Sequence, residues 1–264
     1  NHLAIEWVTP EGDIVKSGSL GSSDEWYCGD GPGPSIRSIL TSAVPPGASP
    51  GVFTKAAMKL YHWPGPSSFP VEGVSPHYSL SEIPPRLMVR YFSFPSVEKM
   101  WEAELKIGES EISYELMGFN ASMVAANITT SNEEEEETFE RLSKAVQGPG
   151  FLLIIAGNFA EDFEYKKRVL EQIIKETSGK SLEVVEDPRI EGILLCHCIR
   201  ISASIRETFR AGGAFNSIPI MGQRDLTIKW AIGAGKAKEP LIKKGYIVDD
   251  GGAFFGWGVE QGHL

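Results

Sequence analysis

Residues 87–119 read LMVRYFSFPSVEKMWEAELKIGESEISYELMGF, and they spell a strand, a helix and a second strand. Leu87, Val89, Tyr91, Phe92 and Phe94 crowd a run too short for a stable helix and rich in residues that suit a pleated sheet. Ser96 is a good helix N-cap, and behind it Val97, Met100, Trp101, Leu105 and Ile107 recur at helical spacing. Ile112 to Phe119 predicts the returning strand. Next, Ser131 or Asn132 opens an acidic helix with Phe139, Leu142 and Val146 inward. Phe151 to Ala156 is an unbroken apolar run and predicts a buried strand. Glu161 to Lys175 is amphipathic, with acids first, bases later and Gly179 to stop it. Leu182 to Glu186 predicts one more strand. This succession is the split βαβ, ferredoxin-like order, so the expected class is α+β with an antiparallel sheet. Such sheets host many functions, and the fold alone assigns none.

Upstream, residues 62–86 are rich in proline and predict an ordered but irregular linker at a domain boundary. Residues 2–17 predict a hairpin: Leu3, Ile5, Trp7 and Val8 lead into the turn Pro10-Glu11-Gly12-Asp13, and Ile14 and Val15 return. Downstream the reading is coarser. Ile190 to Phe209 is helical in part, Asn216 to Met221 a strand, and Thr227 to Lys244 a helix broken near Gly233 and Gly235. Tyr246 to Gly262 alternates glycine with aromatics and pairs as a hairpin around Asp249-Asp250-Gly251-Gly252.

The totals narrow the function classes. With 264 residues the chain can bury a substantial core and hold two modest domains. A net charge of −10 argues against a general nucleic-acid binder and against adhesion to anionic membrane. No stretch approaches the ~18 to 20 apolar residues of a membrane span. The 3 cysteines do not describe a disulfide framework, so a reducing cytoplasm is the expected location. The chain opens at Asn1 on residues that already read as a strand and closes at Leu264 just after another. The expectation is a fragment, or one piece of a split protein.

The stretch Gly29 to Tyr61, GDGPGPSIRSILTSAVPPGASPGVFTKAAMKLY, carries the functional signal. Two loops rich in Gly and Pro (Gly29 to Pro34, Pro45 to Gly51) bracket a short amphipathic piece bearing Ile36, Ile39 and Leu40. An apolar strand from Val52 follows. Glycine lets backbone approach a ligand closely, and proline fixes the turn around it. Such loops either hold a planar or phosphorylated ligand with main-chain groups or simply connect elements. Trp26 and Tyr27 either line a ligand cleft or cover the loop's own apolar face.

The runs GDGPGPSIRSIL and GASPGVFTKAAMKLY resemble the closing segment of the FAD-binding domain in flavoproteins of the vanillyl-alcohol oxidase type, a group that includes glycolate oxidase and D-lactate dehydrogenase subunits. In that resemblance Ser35 to Ile39 sits on the helix and Ala48 to Thr54 on the flavin loop, with Gly51-Val52-Phe53-Thr54 as the strongest match. Gly47-Ala48 stands where the family usually has Glu-Gly. The hairpin at residues 2–17 resembles the one that precedes those loops. The resemblance implies FAD as cofactor, contacted by Gly31, Gly33, Arg37, Ala48, Ser49, Gly51 and Val52. It also implies that the ferredoxin-like part is the substrate-covering cap. The expected layout is residues 1–65 as the C-terminal lobe of an FAD domain, 66–86 as linker and 87–264 as cap. The family's glycine-rich pyrophosphate loop has no counterpart in residues 1–30. A missing N-terminal FAD lobe, in the same or a partner polypeptide, is therefore expected, and so is weak or absent FAD binding by this chain alone.

Other groups in the chain carry side chains capable of chemistry. Cys196-His197-Cys198 has no second ligand pair, which favours buried small side chains over a metal; on a strand the thiols face opposite to the imidazole. Glu133 to Glu137 suit a helix N-terminus and carry no catalytic role. Asn120-Ala-Ser and Asn127-Ile-Thr match glycosylation sequons without meaning in a cytoplasmic chain. Arg206 and Arg210 share a helical face, either to clamp a substrate carboxylate or as a surface pair. Arg224 with Asp225 is equally open. The closing run places Trp257 as a substrate contact and Glu260 and His263 as catalytic candidates that remove a hydroxyl proton while hydride leaves carbon for flavin; a structural role for that strand stays open.

Two functions follow. One is part of an FAD-dependent oxidoreductase acting on a small hydroxy acid or related alcohol, with a homodimer allowed. The other is a non-catalytic ferredoxin-like module that binds a partner or effector.

Overall fold

A computed structural model describes residues 2–16, 51–58, 62–74, 77–199, 224–247 and 256–259. The chain divides into two units, the first running to His62 and the second starting at Trp63.

In the first unit β1 (His2–Val8) and β2 (Ile14–Lys16) form the expected hairpin, and β3 (Val52–Met58) pairs antiparallel with β1 to give the order β2-β1-β3. The turn closes because Thr9 N–H donates to the Asp13 carbonyl and Gly12, at φ +92°, donates to Thr9. Strand alternation puts Trp7, Val15 and Phe53 on one face, where Trp7 is buried and its ring lies 6.4 Å from that of Phe53. A bulge between Glu6 and Trp7 lets both Thr54 and Lys55 reach the Glu6 carboxylate, at 3.0 and 3.2 Å.

The second unit opens differently from the sequence reading. The proline-rich stretch contains a two-stranded hairpin, β4 (Val71–Val74) with β5 (His77–Leu80), rather than irregular chain alone. Then come β6 (Leu87–Ser93), α1 (Val97–Glu109), β7 (Glu115–Gly118), α2 (Ala121–Ile128), α3 (Asn132–Ala145), β8 (Gly150–Ala156), α4 (Ala160–Glu176) and β9 (Lys180–Ser181). A 3₁₀ turn at Glu183–Glu186 leads to α5 (Pro188–Ile199), and α6 (Arg224–Lys243) and β10 (Gly256–Val259) complete the described elements. The class is α+β with antiparallel sheets: β10-β7-β8-β6-β9 is one sheet, antiparallel at every pairing.

Both faces of this sheet are covered. Leu87, Val89, Tyr91, Leu152 and Ile154 point to the side closed by α2, α3 and α5. Met88, Phe92, Phe151, Leu153 and Ile155 point to the side closed by α1 and α4. Strand β8 is therefore buried along its whole length, which is why it reads as a continuous apolar run rather than an alternating one. Local chemistry sets the helix starts. Ser96, Asn120 and Ser131 each accept a hydrogen bond from the backbone N–H three residues on, and Glu134 reaches back to Thr130 N–H.

Four expectations are corrected. The strand predicted over Leu182 to Glu186 shrinks to Lys180–Ser181 and gives way to the 3₁₀ turn. Helix α2 occupies a stretch not read as structured, its residues being apolar on nearly every side. Cys196-His197-Cys198 lies on α5, within the stretch expected to be helical in part, so the alternation these side chains would show on a strand does not apply. Helix α6 runs unbroken through Gly233 and Gly235, since each glycine costs a helix only about 1 kcal/mol relative to alanine. The strand expected at Asn216 to Met221 lies outside the described residues.

Helix α6 ends in a Schellman cap: Gly245, at φ +71°, donates to the Ile242 carbonyl, and Tyr246 N–H donates to that of Leu241. Nothing lies within 4 Å of a Cβ added at Gly233, Gly235 or Gly245, so only backbone conformation decides these substitutions. Gly233→Ala or Gly235→Ala is expected to stabilise the helix by roughly 0.5–1 kcal/mol, and Gly245→Ala to destabilise it by about 1 kcal/mol. Amide exchange along α6 reads both signs.

Candidate functional site

Two of the proposed flavin contacts are described, Gly51 and Val52, at the point where the second glycine- and proline-bearing loop enters β3. Gly51 adopts φ +141°, and an added Cβ would run into the Val8 carbonyl of the neighbouring strand. Only glycine fits here, for two separate reasons: the backbone conformation and the close approach of β1. Val52 lies opposite Val8, and Val8 lies opposite Ile14. The three form an apolar row on the face away from Trp7, with Val52 68% and Ile14 66% exposed. Large aliphatic side chains left exposed near Gly51 can lie against a flat apolar ring system.

Gly31, Gly33, Arg37, Ala48 and Ser49 lie outside the described residues, as do Arg206, Arg210, Glu260 and His263. Trp257 occupies β10 opposite Met117, with Gly256 opposite Gly118.

Several of the deepest described polar groups of the second unit hold the fold. The Tyr91 hydroxyl donates to the Phe119 carbonyl at 2.9 Å, and burial pushes its pKa well above the usual phenol range. Gly150 leaves room for that hydroxyl, since a Cβ there would strike it. Tyr91→Phe keeps the ring but orphans the carbonyl, at an expected cost of about 1 kcal/mol in denaturant unfolding. His197 Nδ1 lies 3.2 Å from Asn127 Oδ1, while Asn127 Nδ2 donates to the Met123 carbonyl. The amide orientation thus leaves its oxygen toward the ring, so Nδ1 carries the proton. Cys196 and Cys198 are buried as expected, and burial, then the nearby Glu115 charge, push the Cys198 thiol pKa far up. A thiol so held is a poor nucleophile. Asn127 is buried and Asn120 caps α2, so both sequon asparagines have structural work.

Sequence reasoning missed one pairing entirely. Glu191 of α5 accepts from Val89 N–H at 3.0 Å and from Arg90 Nη1 at 2.8 Å, and the same guanidinium nitrogen donates to the Val89 carbonyl. No local pattern links these residues, which are about a hundred positions apart. The only available signal was an arginine in the middle of an otherwise apolar strand. Among the described residues there is no cluster of His, Cys, Asp and Glu that could hold a metal, and no helix long and apolar enough to cross a membrane.

No family profile matches the chain, and no curated protein matches it in sequence. Among solved structures it is similar to p-cresol methylhydroxylase with substrate bound, at 14% identity and TM-score 0.41, over 74% of this chain and 37% of that one. It is also similar to 4-ethylphenol oxidase from Gulosibacter chungangensis in complex with isoeugenol, at 14% identity and TM-score 0.46, over 89% of this chain and 46% of that one. The chain thus spans less than half the length of either structure. Likeness at this level carries no argument about chemistry, and the functional reading rests on the residues themselves.

Proposed function

We propose that this chain supplies part of the FAD site and the substrate cap of an FAD-dependent oxidoreductase that oxidises a hydroxy acid or related alcohol. The observation that carries the reading is Gly51-Val52-Phe53-Thr54, whose family-like text coincides with a glycine that nothing else can replace. The strand order β7-β8-β6-β9, antiparallel throughout, is compatible with a split βαβ arrangement and so supports reading this part as the cap. FAD, when bound, accepts the hydride. The chain's own part is to present Gly31, Gly33, Arg37, Ala48, Ser49, Gly51 and Val52 to the cofactor, Arg206, Arg210 and Trp257 to the substrate, and Glu260 and His263 as acid–base groups for the hydroxyl proton.

The pyrophosphate grip is assigned to an N-terminal lobe in the same or a partner polypeptide, because residues 1–30 hold no such loop. Reading the coding sequence upstream of Asn1 and of neighbouring frames tests this. Gly-Gly-rich loops of an FAD lobe are expected there. A stop codon directly upstream, with no such lobe encoded nearby, would instead favour a module without flavin.

A further inference from the structure

We propose that helix α6 of one chain docks against helix α3 of a second copy, head to tail. The claim is independent of the flavin assignment. In a chain of net charge −10, α6 and the residue after it carry Arg224, Lys229, Lys236, Lys238, Lys243 and Lys244 against Asp225 and Glu239. Although α6 rests on α1, none of its described side chains is buried, and Lys229, Lys236, Lys243 and Lys244 are exposed. At the same end of the helix Leu241, Tyr246 and Ile247 are also exposed, at 40%, 73% and 37%. A basic helix whose described side chains all keep some exposure, and which ends in an apolar patch, offers a surface complementary to an acidic one.

The chain carries that complement. On α3, Thr138 and Leu142 turn inward, while Glu133, Glu134, Glu136, Glu137 and Glu140 are exposed. The two helices belong to opposite layers of the five-stranded sheet. Leu142 joins the core shared with Val89 and Tyr91, whereas α6 lies against α1, whose Met100 and Ile107 join the core shared with Phe92 and Leu153. Two unlike faces on opposite sides of one unit fit a heterologous contact, in which the basic face of each copy meets the acidic face of the next. Charge reversal on either side breaks the match, and reversal on both restores it.

Sedimentation velocity of the full chain over a concentration series tests this. The wild type is expected to associate as concentration rises. One variant carries Lys229→Glu, Lys236→Glu and Lys243→Glu, and the other carries Glu133→Lys, Glu136→Lys and Glu137→Lys. Each alone is expected to associate on the order of tenfold or more weakly, since several rim charges are lost together. An equimolar mixture of the two is expected to associate again. A wild type that stays monomeric throughout overturns the proposal without reference to any variant. So do variants of native circular dichroism that associate as the wild type does, or a mixture that stays apart.

Discussion

Gly51→Ala is expected to destabilise the first unit by on the order of 3 kcal/mol or more, far beyond an ordinary surface substitution. The added methyl meets the Val8 carbonyl, and the residue must still hold φ +141°, a region L side chains rarely adopt. Neither party can yield easily, because both are backbone: relief requires β3 to move away from β1 and to break the Val8–Val52 and Trp7–Phe53 pairings. Protection of the β1 and β3 amides in hydrogen exchange should fall accordingly. On the proposed reading the same variant should also weaken FAD binding by the assembled protein, since Gly51 is itself a proposed flavin contact. A neutral Gly51→Ala would mean that the strand does not approach β1 as described.

Glu191→Ala is expected to cost about 3–5 kcal/mol, because it strands a partly buried cation and a strand N–H at once. Strand β6 pairs with β8 along its full length, but on its other edge β9 covers only Phe92 and Ser93. Three further groups of that edge are met by substitutes. Glu191 takes the Val89 N–H, Arg90 fills the Val89 carbonyl, and Leu182 N–H reaches the Tyr91 carbonyl at 3.0 Å. The carboxylate and guanidinium thus do for the two Val89 backbone groups what another strand would do, and they occupy that point of the edge against pairing by a second chain. Glu191→Gln keeps an acceptor for Val89 and should cost markedly less, about 1–3 kcal/mol. A double-mutant cycle with Arg90→Met should show strong coupling between the two positions. Additive costs would contradict this description of the edge.

Elements whose side-chain pattern has one period were legible from sequence. Helix α4, with Leu170, Ile173 and Ile174 buried on one face, and strand β8, buried on both, stand where their residues predict. Helix α2 was not, because it is packed nearly all round and a run apolar on every side has no period to read. Helix α6 was misread at Gly233 and Gly235 because propensity is a weak prior that one continuous turn of hydrogen bonds overrides. Of the candidate site, Gly51 and Val52 were legible because their meaning is local: a conformation and one close neighbour. Arg90 and Glu191 acquire theirs from a fold that brings distant segments together, and nothing in the flanking residues of either announces the other.

The central claim is that this chain holds half of a flavin grip whose other half lies in a second segment of polypeptide. Titration of FAD, followed by quenching of flavin fluorescence, tests it most directly when run on this chain alone and on the chain joined to, or co-purified with, the FAD lobe that the proposal expects to be encoded beside it. Weak or absent binding by the chain alone and saturable one-to-one binding by the assembled protein is the expected result. Tight stoichiometric binding by the chain alone, or none by the assembly, would contradict it.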